Sequence, residues 1–338
     1  MKKFFKTVNL PHTLLLLAFL VCSGGCAVPQ IVKDSYYVIK HNVAGNYYLD
    51  NKKYKEGIEA FQEELKRNPR SAEAHYFMGR LQLADNHPND GLYHLQQAAG
   101  LSPDKADYHF WLGVAYSANM ESNLERKSYL RALELDPRHL QALTYLGHNQ
   151  LEKFEYENAL STYNRVLELS PDNASALYNR ALILNRVRKT SEERTAWKKY
   201  LALYSSGPMA RLAVIHLNVL GDFQYRSHVV GQDTMILEKI QFEPSTAELS
   251  RRSQNSLNIL GETLMNRDSV SIHIIAYQRN KKQLAELRAK SVKRYLLDRF
   301  PEIKSSRLKV SWFEVPEKIT VGNKTFTQDE SVNFFSAV

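Results

Sequence analysis

Cysteine is nearly absent from this chain. Only Cys22 and Cys26 occur in 338 residues, both close to the N-terminus. Beyond them no disulfide framework and no cysteine zinc site is possible. The apolar run Leu14 to Val21 (LLLLAFLV) is too short to span a bilayer comfortably. The sequence has no GxxxxGK[ST] phosphate loop, no HExxH and no GxSxG. Neither an enzyme activity nor a cofactor nor a metal is expected. The formal net charge of +9 is spread along the chain. The densest basic run is Arg186, Arg188 and Lys189, with Lys198 and Lys199 nearby. A nucleic-acid binder concentrates more charge on one face, so nucleic acid is not an expected partner.

What is present is a period. Pro69, Pro103, Pro137 and Pro171 follow one another at 34 residues. Gly45, Gly79, Gly113 and Gly147 each precede one of these prolines by 24 positions. Phe61, Leu95, Tyr129 and Tyr163 precede them by 8. A fifth copy, residues 174–207, keeps Ala181 and Trp197 but has Ser205 in place of the proline. The small residues fit a close crossing of two antiparallel helices, and the aromatic or leucine fills the space beside it. The proline punctuates each boundary because it cannot continue a helix. This pattern resembles the tetratricopeptide repeat over about residues 38–207, a helix–turn–helix unit that stacks into a solenoid. Residues 208–220 carry apolar residues at helical spacing and read as a capping helix.

In this family, positions 2, 5, 9 and 12 of each first helix face the groove where a partner docks. They include Tyr76, Arg80, Phe110, His148 and Tyr178. The aromatics among them suit an extended peptide or a helix. The Lys/Asn/Arg clamp that some such proteins use for a C-terminal carboxylate is absent. Eleven histidines invite a metal reading, but His75 and His109 share one repeat position, where packing residues sit.

The N-terminus has Lys2, Lys3 and Lys6, then the apolar run, then Ser23, Gly24, Gly25 and Cys26. This reads as a secretory signal. It resembles a bacterial lipoprotein signal, with Ser23 where that family usually has leucine. The resemblance implies lipidation of Cys26, and Ala27 after it implies the outer membrane.

After Gly221 the period is lost. Strands are expected over 235–242, 269–277, 307–315 and 331–335, with helices from Pro244–Ser245 to about Met265 and over 283–299. The order β-α-β-α-β-β implies an α/β sandwich with helices on one face of a sheet. IQFEPSTAEL (240–249) and LAELRAKSVKRYL (284–296) resemble the OmpA-like peptidoglycan-binding domain. In that family an aspartate and an arginine grip the diaminopimelate end of a stem peptide. The arginine is matched by Arg288, but Arg279 stands at the aspartate position. With Lys281 and Lys282 this implies an anion-favouring pocket.

The expectation is a multidomain chain: signal peptide 1–25, lipid-anchored tether 26–37, an all-α tetratricopeptide solenoid 38–220 and an α/β OmpA-like domain 221–338. The implied role is a non-enzymatic outer-membrane lipoprotein facing the periplasm, a scaffold for envelope proteins in assembly or secretion. The alternative is a cell-wall anchor that binds peptidoglycan, with the repeats as spacer.

Overall fold

The computed structural model describes residues 30–337. Cys22, Cys26 and the apolar run lie outside them. Eleven helices come first among the described residues: α1 (Gln30–Asp50), α2 (Tyr54–Arg67), α3 (Ala72–Ala84), α4 (Pro88–Leu101), α5 (Ala106–Ala118), α6 (Ser122–Leu135), α7 (Leu140–Glu152), α8 (Tyr156–Leu169), α9 (Ala174–Arg186), α10 (Thr190–Leu203) and α11 (Gly207–Val219). The chain forms two compact units that divide between Ala142 and Leu143, inside α7. The sequence-based boundary at 220/221 therefore lies within the second unit.

Glycine makes the helix pairs possible. A Cβ built on Gly79 would sit 2.6 Å from Leu95 Cγ and 2.8 Å from the Gly91 carbonyl oxygen. A Cβ on Gly113 would enter the Tyr129 ring, and one on Gly147 would lie 2.9 Å from Tyr163. Leu95, Tyr129 and Tyr163 are fully buried. Gly45 differs, since its closest neighbour is Phe77 of the next repeat rather than Phe61.

The turns inside the repeats also recur. Lys52, Asn86, Met120, Phe154 and Arg188 all have left-handed φ values between 53° and 63°. At each, the following amide bonds back five residues, as in Glu121 N to Tyr116 O at 2.9 Å and Glu155 N to Gln150 O at 2.9 Å. This is the Schellman closure, which most often uses glycine at the left-handed position. Here five non-glycine residues carry the strain. The helices after these turns have no side-chain cap, whereas two first helices do: Ser71 Oγ accepts from Ala74 N at the start of α3, and Asn173 Oδ1 from Ala176 N at the start of α9.

α11 buries Ala210, Ala213, Val214 and Leu217 against Trp197, Tyr200 and Leu201 of α10, together with Tyr225 and Ile236. It lies between the last repeat helices and the first two strands that follow. Its other face leaves Met209, Leu212, Ile215 and Val219 about half exposed.

A small sheet-containing region follows: β1 (Tyr225–Val230), β2 (Asp233–Glu238), α12 (Arg251–Met265), β3 (Ser271–Gln278), α13 (Lys282–Arg299), β4 (Leu308–Phe313), β5 (Glu317–Val321), β6 (Lys324–Gln328) and β7 (Glu330–Ala337). β3 is the centre of a three-stranded sheet, parallel to β4 and antiparallel to β7. β1–β2 and β5–β6 are separate antiparallel hairpins. Ile272, Ile274 and Ala276 alternate inward along β3 and meet Leu257, Leu260 and Leu264 of α12 and Ala289, Val292 and Leu296 of α13. Both helices thus share one core with a single face of the sheet.

Three expectations need correction. α12 starts at Arg251, not at Pro244–Ser245. Residues 243–249 form a loop, with Ser245 at φ 58° and a bridge from Phe242 to Leu249. The turn-forming Pro-Ser pair bends the chain before the helix rather than starting it. β2 ends at Glu238, so residues 239–242 are outside the strand. The order also contains β1 and the β5–β6 hairpin, which raises the strand count from four to seven among the described residues.

Candidate functional site

The five repeat residues expected to face a groove fall into two groups, one in each compact unit. In the first unit Arg80 sits on α3 with its guanidinium carbon 4.4 Å from the centre of the Trp111 ring of α5. Its Nη1 donates to the Tyr76 hydroxyl at 3.1 Å, and its Nε is buried with no hydrogen-bond partner. Tyr76 is buried, stacks on Tyr108 at 4.7 Å between centroids, and its hydroxyl is pushed up to about 12 by burial. An arginine whose flat face is covered by an indole presents only the edge of its guanidinium to a carboxylate.

Asp107 stands near this cation. Its carboxyl is held low by the hydrogen bond from His139 Nε2 at 3.1 Å. Phe110 does not join the group as an open ring. It is 2% exposed and packs against Tyr129 and His139. Phe110 packs on Tyr129, the ring that also fills the Gly113 crossing, while its neighbour Trp111 is half-buried and takes the accessible place. The sequence signal for Trp111 was its position immediately after Phe110, with Arg80 on the preceding first helix.

In the second unit His148 and Tyr178 are both half-buried. His148 Nε2 lies 2.8 Å from Ser175 Oγ, and burial lowers the imidazole pKa. Tyr178 meets Trp197 and Tyr200 edge-on, at 5.2 and 5.6 Å between centroids. Tyr145, 40% exposed, lies 5.6 Å from His148 and widens this aromatic patch.

The four cations expected to form an anion pocket are not equivalent. Arg288 is 3% exposed. Its Nε donates to the Thr246 carbonyl at 2.9 Å, and its Nη1 donates to Gln278 Oε1 and, at 2.7 Å, to Glu330 Oε2. Its guanidinium carbon lies 4.7 Å from the Phe242 ring centre. Arg279 pairs with Asp329 at 3.1 Å. Lys281 and Lys282 are exposed at the start of α13 and form no ion pair among the described residues. Two adjacent acids, Asp329 and Glu330, thus neutralise the two arginines. The sequence placed these acids before the last strand, but only the β3–β7 register shows which arginine each one meets.

His75 and His109 brace the start of their repeats. His75 Nε2 donates to the Pro69 carbonyl and His109 Nε2 to the Pro103 carbonyl, both at 3.0 Å. Among the described residues no group of three His, Cys, Asp or Glu side chains could hold a metal ion. Nor is any helix among them long and apolar enough to cross a membrane.

Residues 42–87 match a tetratricopeptide repeat model, and residues 151–186 match a second TPR repeat model. PilF of Pseudomonas aeruginosa is similar in fold, with a TM-score of 0.51 and 17% identity over 56% of this chain and 86% of PilF. MamA gives a TM-score of 0.44 at 22% identity, covering 47% of this chain and 92% of its own. YrrB, described as a TPR protein with an unusual peptide-binding site, gives 0.44 at 18%, covering 50% of this chain and 87% of its own. No curated protein matches the chain. The chain carries tetratricopeptide repeats followed by a small sheet-containing region. Such repeats generally mediate protein–protein interaction.

Proposed function

We propose that this protein is a non-enzymatic scaffold of the bacterial envelope whose repeats hold a protein partner. The observation that carries the reading is Arg80, a half-buried cation backed by Trp111 and tied to Tyr76 by one nitrogen. A partner carboxylate beside it would gain a charge-assisted hydrogen bond of about 1.5–3 kcal/mol. In this reading Cys26 carries a lipid anchor in the outer membrane and the protein faces the periplasm; the lipoprotein-like sequence around Cys26 is the support for it. The sheet-containing region, which resembles the OmpA-like domain in its helix sequences, contacts another envelope component. Peptidoglycan is the weaker candidate for that contact, because Arg288 spends its donors on Thr246, Gln278 and Glu330.

The test is affinity capture of the full chain from detergent-solubilised membranes, paired with sedimentation on purified sacculi. One protein should be recovered with the wild type and reduced at least fivefold by Arg80→Glu, with helical signal unchanged. Recovery that ignores Arg80→Glu, together with sacculus binding that survives physiological salt, would replace the scaffold with the cell-wall anchor. Cys26→Ser should move the protein from the membrane to the soluble periplasmic fraction; a variant that still floats with membranes contradicts the anchor.

A further inference from the structure

The second unit holds a polar cleft of about 440 Å³. It opens where the connector Gly221–Gln224 passes the side chain of Arg194, the end of β2 and the first turn of α12. Three cations line it, Arg194, Lys239 and Arg252, against one carboxylate, Asp222.

The charges divide unequally. Asp222 is already served: Lys198 Nζ lies 3.1 Å and Arg194 Nε 3.8 Å from Oδ2, and Oδ1 accepts from Gln224 N at 3.0 Å. Arg252 pairs with Glu238 through Nε at 2.8 Å, and its side chain is 62% exposed. Lys239 has no such partner. Its Nζ donates to one neutral group, Gln328 Oε1, at 3.2 Å, and among the described residues it forms no ion pair. Burial lowers its pKa. The carboxylates of Glu330 and Glu317 act on it from a distance, offset by Arg226 and Arg288, but none pairs with it directly. A half-buried ammonium without a directly paired carboxylate is unfavourable, and an anion placed beside it removes that cost.

The rest of the wall is amide. Gln241 is hydrogen-bonded through its backbone N–H, to Ser253 Oγ, and no described group takes its side-chain amide. Gln328 uses its oxygen for Lys239, which leaves its amide nitrogen as a donor. Donors and acceptors of this kind suit hydroxyl groups. The cleft volume is that of a small ligand rather than of a bare ion.

We propose that this cleft binds a small, acidic, hydroxyl-rich ligand, a sugar acid or sugar phosphate, with its oxyanion at Lys239 and its hydroxyls on Gln241 and Gln328. Arg252 supplies the second cation by turning from Glu238 to the ligand. The site is independent of the repeat surface at Arg80.

The full chain would be titrated with glucuronate, with glucose 6-phosphate and with neutral glucose, at ionic strength fixed by potassium chloride. Calorimetry gives Kd and thermal melting gives the stabilisation that binding to the native state requires. Saturable binding of either acid, absent with glucose, is the expected result, and the acid that binds identifies carboxylate or phosphate as the anchor group. Lys239→Gln should raise Kd at least about tenfold, which is about 1.4 kcal/mol. Lys309→Gln, on an exposed lysine of β4, should leave it unchanged. If Lys239→Gln folds poorly, Arg252→Gln on the exposed arm serves as the second variant, with the same direction of effect. Binding of neither acid above the chloride control, equal binding of glucose, or equal weakening by Lys309→Gln would overturn the proposal.

Discussion

The helical repeats and the sheet-containing region bury their interiors by different means. In the repeats one local contact recurs: a glycine backbone against a buried ring or leucine, at Gly79–Leu95, Gly113–Tyr129 and Gly147–Tyr163. In the sheet region the recurring device is an arginine that gathers distant acceptors. Arg226 donates to both Glu317 oxygens and to Asn333 Oδ1, each at 2.7 Å. Arg307 takes the carbonyls of Leu264, Arg267 and Val270 and so covers the C-terminal end of α12. Arg288 ties Thr246, Gln278 and Glu330 together. The first region is specified by shape at short range, the second by charge at long range. Their failures should therefore differ in kind.

The largest expected effect comes from breaking an arginine knot. Arg226→Met leaves Glu317 buried and unpaired, and should cost about 3–5 kcal/mol in chemical denaturation. Adding Glu317→Leu should recover most of that loss, because both charges then leave together. If the double variant is as unstable as the single one, the knot is a matter of packing rather than charge.

Acid should expose the next difference. Burial lowers His228 to about 4, and its ring lies against Phe334. In the unfolded chain the same group has a pKa near 6.5. Unfolding then takes up a proton below pH 6.5, so stability falls as pH drops from about 6.5 to 4, by up to about 3 kcal/mol. His228→Gln, which keeps an acceptor for Phe334 N, should flatten that fall. Glu317 acts in the same direction at lower pH. Burial alone would raise its carboxyl, but the Arg226 hydrogen bonds and charge hold it below the usual range. A melting temperature that stays level from pH 7 to pH 4.5 in the wild type would remove His228 as a source of acid sensitivity.

Overpacking a repeat should cost less. Gly113→Leu drives a side chain into the Tyr129 ring and should lose about 1–3 kcal/mol. The helical circular dichroism should melt earlier, and the Trp312 environment in β4 should be unaffected at temperatures below that loss. The smallest effect is a gain. Met120 is 89% exposed and sits at φ 61°. Met120→Gly removes the left-handed cost of about 1–2 kcal/mol per residue, less the extra entropy of glycine in the unfolded chain, for a net rise of about 1 kcal/mol or less. A Met120→Val variant should move the other way, and equal stability of the two would show that the turn is not strained.

The same contrast explains what could be seen in the sequence. A short-range contact repeated at 34 residues leaves a mark in the primary structure, and the glycines, rings and prolines displayed it. The left-handed turn residues share that period, but Lys, Asn, Met, Phe and Arg have no common side-chain chemistry, so composition hid them. The β5–β6 hairpin had its signal in Gly322–Asn323 between two alternating stretches, and Gly322 does take a positive φ of 57°. Phe110 was read as an anchor from its position number; burial against Tyr129 gives the ring a core role and leaves Trp111 as the partner of Arg80. Arg288 shows the limit most clearly. Its type and place in α13 were legible, but Glu330, 42 residues away, was brought to it only by the pairing of β3 with β7.

The central claim is that the repeats hold the partner at the surface around Arg80. Photo-crosslinking in cells addresses it directly, with a photoreactive residue at Val114 of α5 and, separately, at the exposed Leu287 of α13. A single discrete adduct should form from position 114 and vanish when Arg80→Glu is added, while position 287 gives no adduct that depends on Arg80. An adduct from position 287 alone, or one from position 114 that is indifferent to Arg80, would contradict the account.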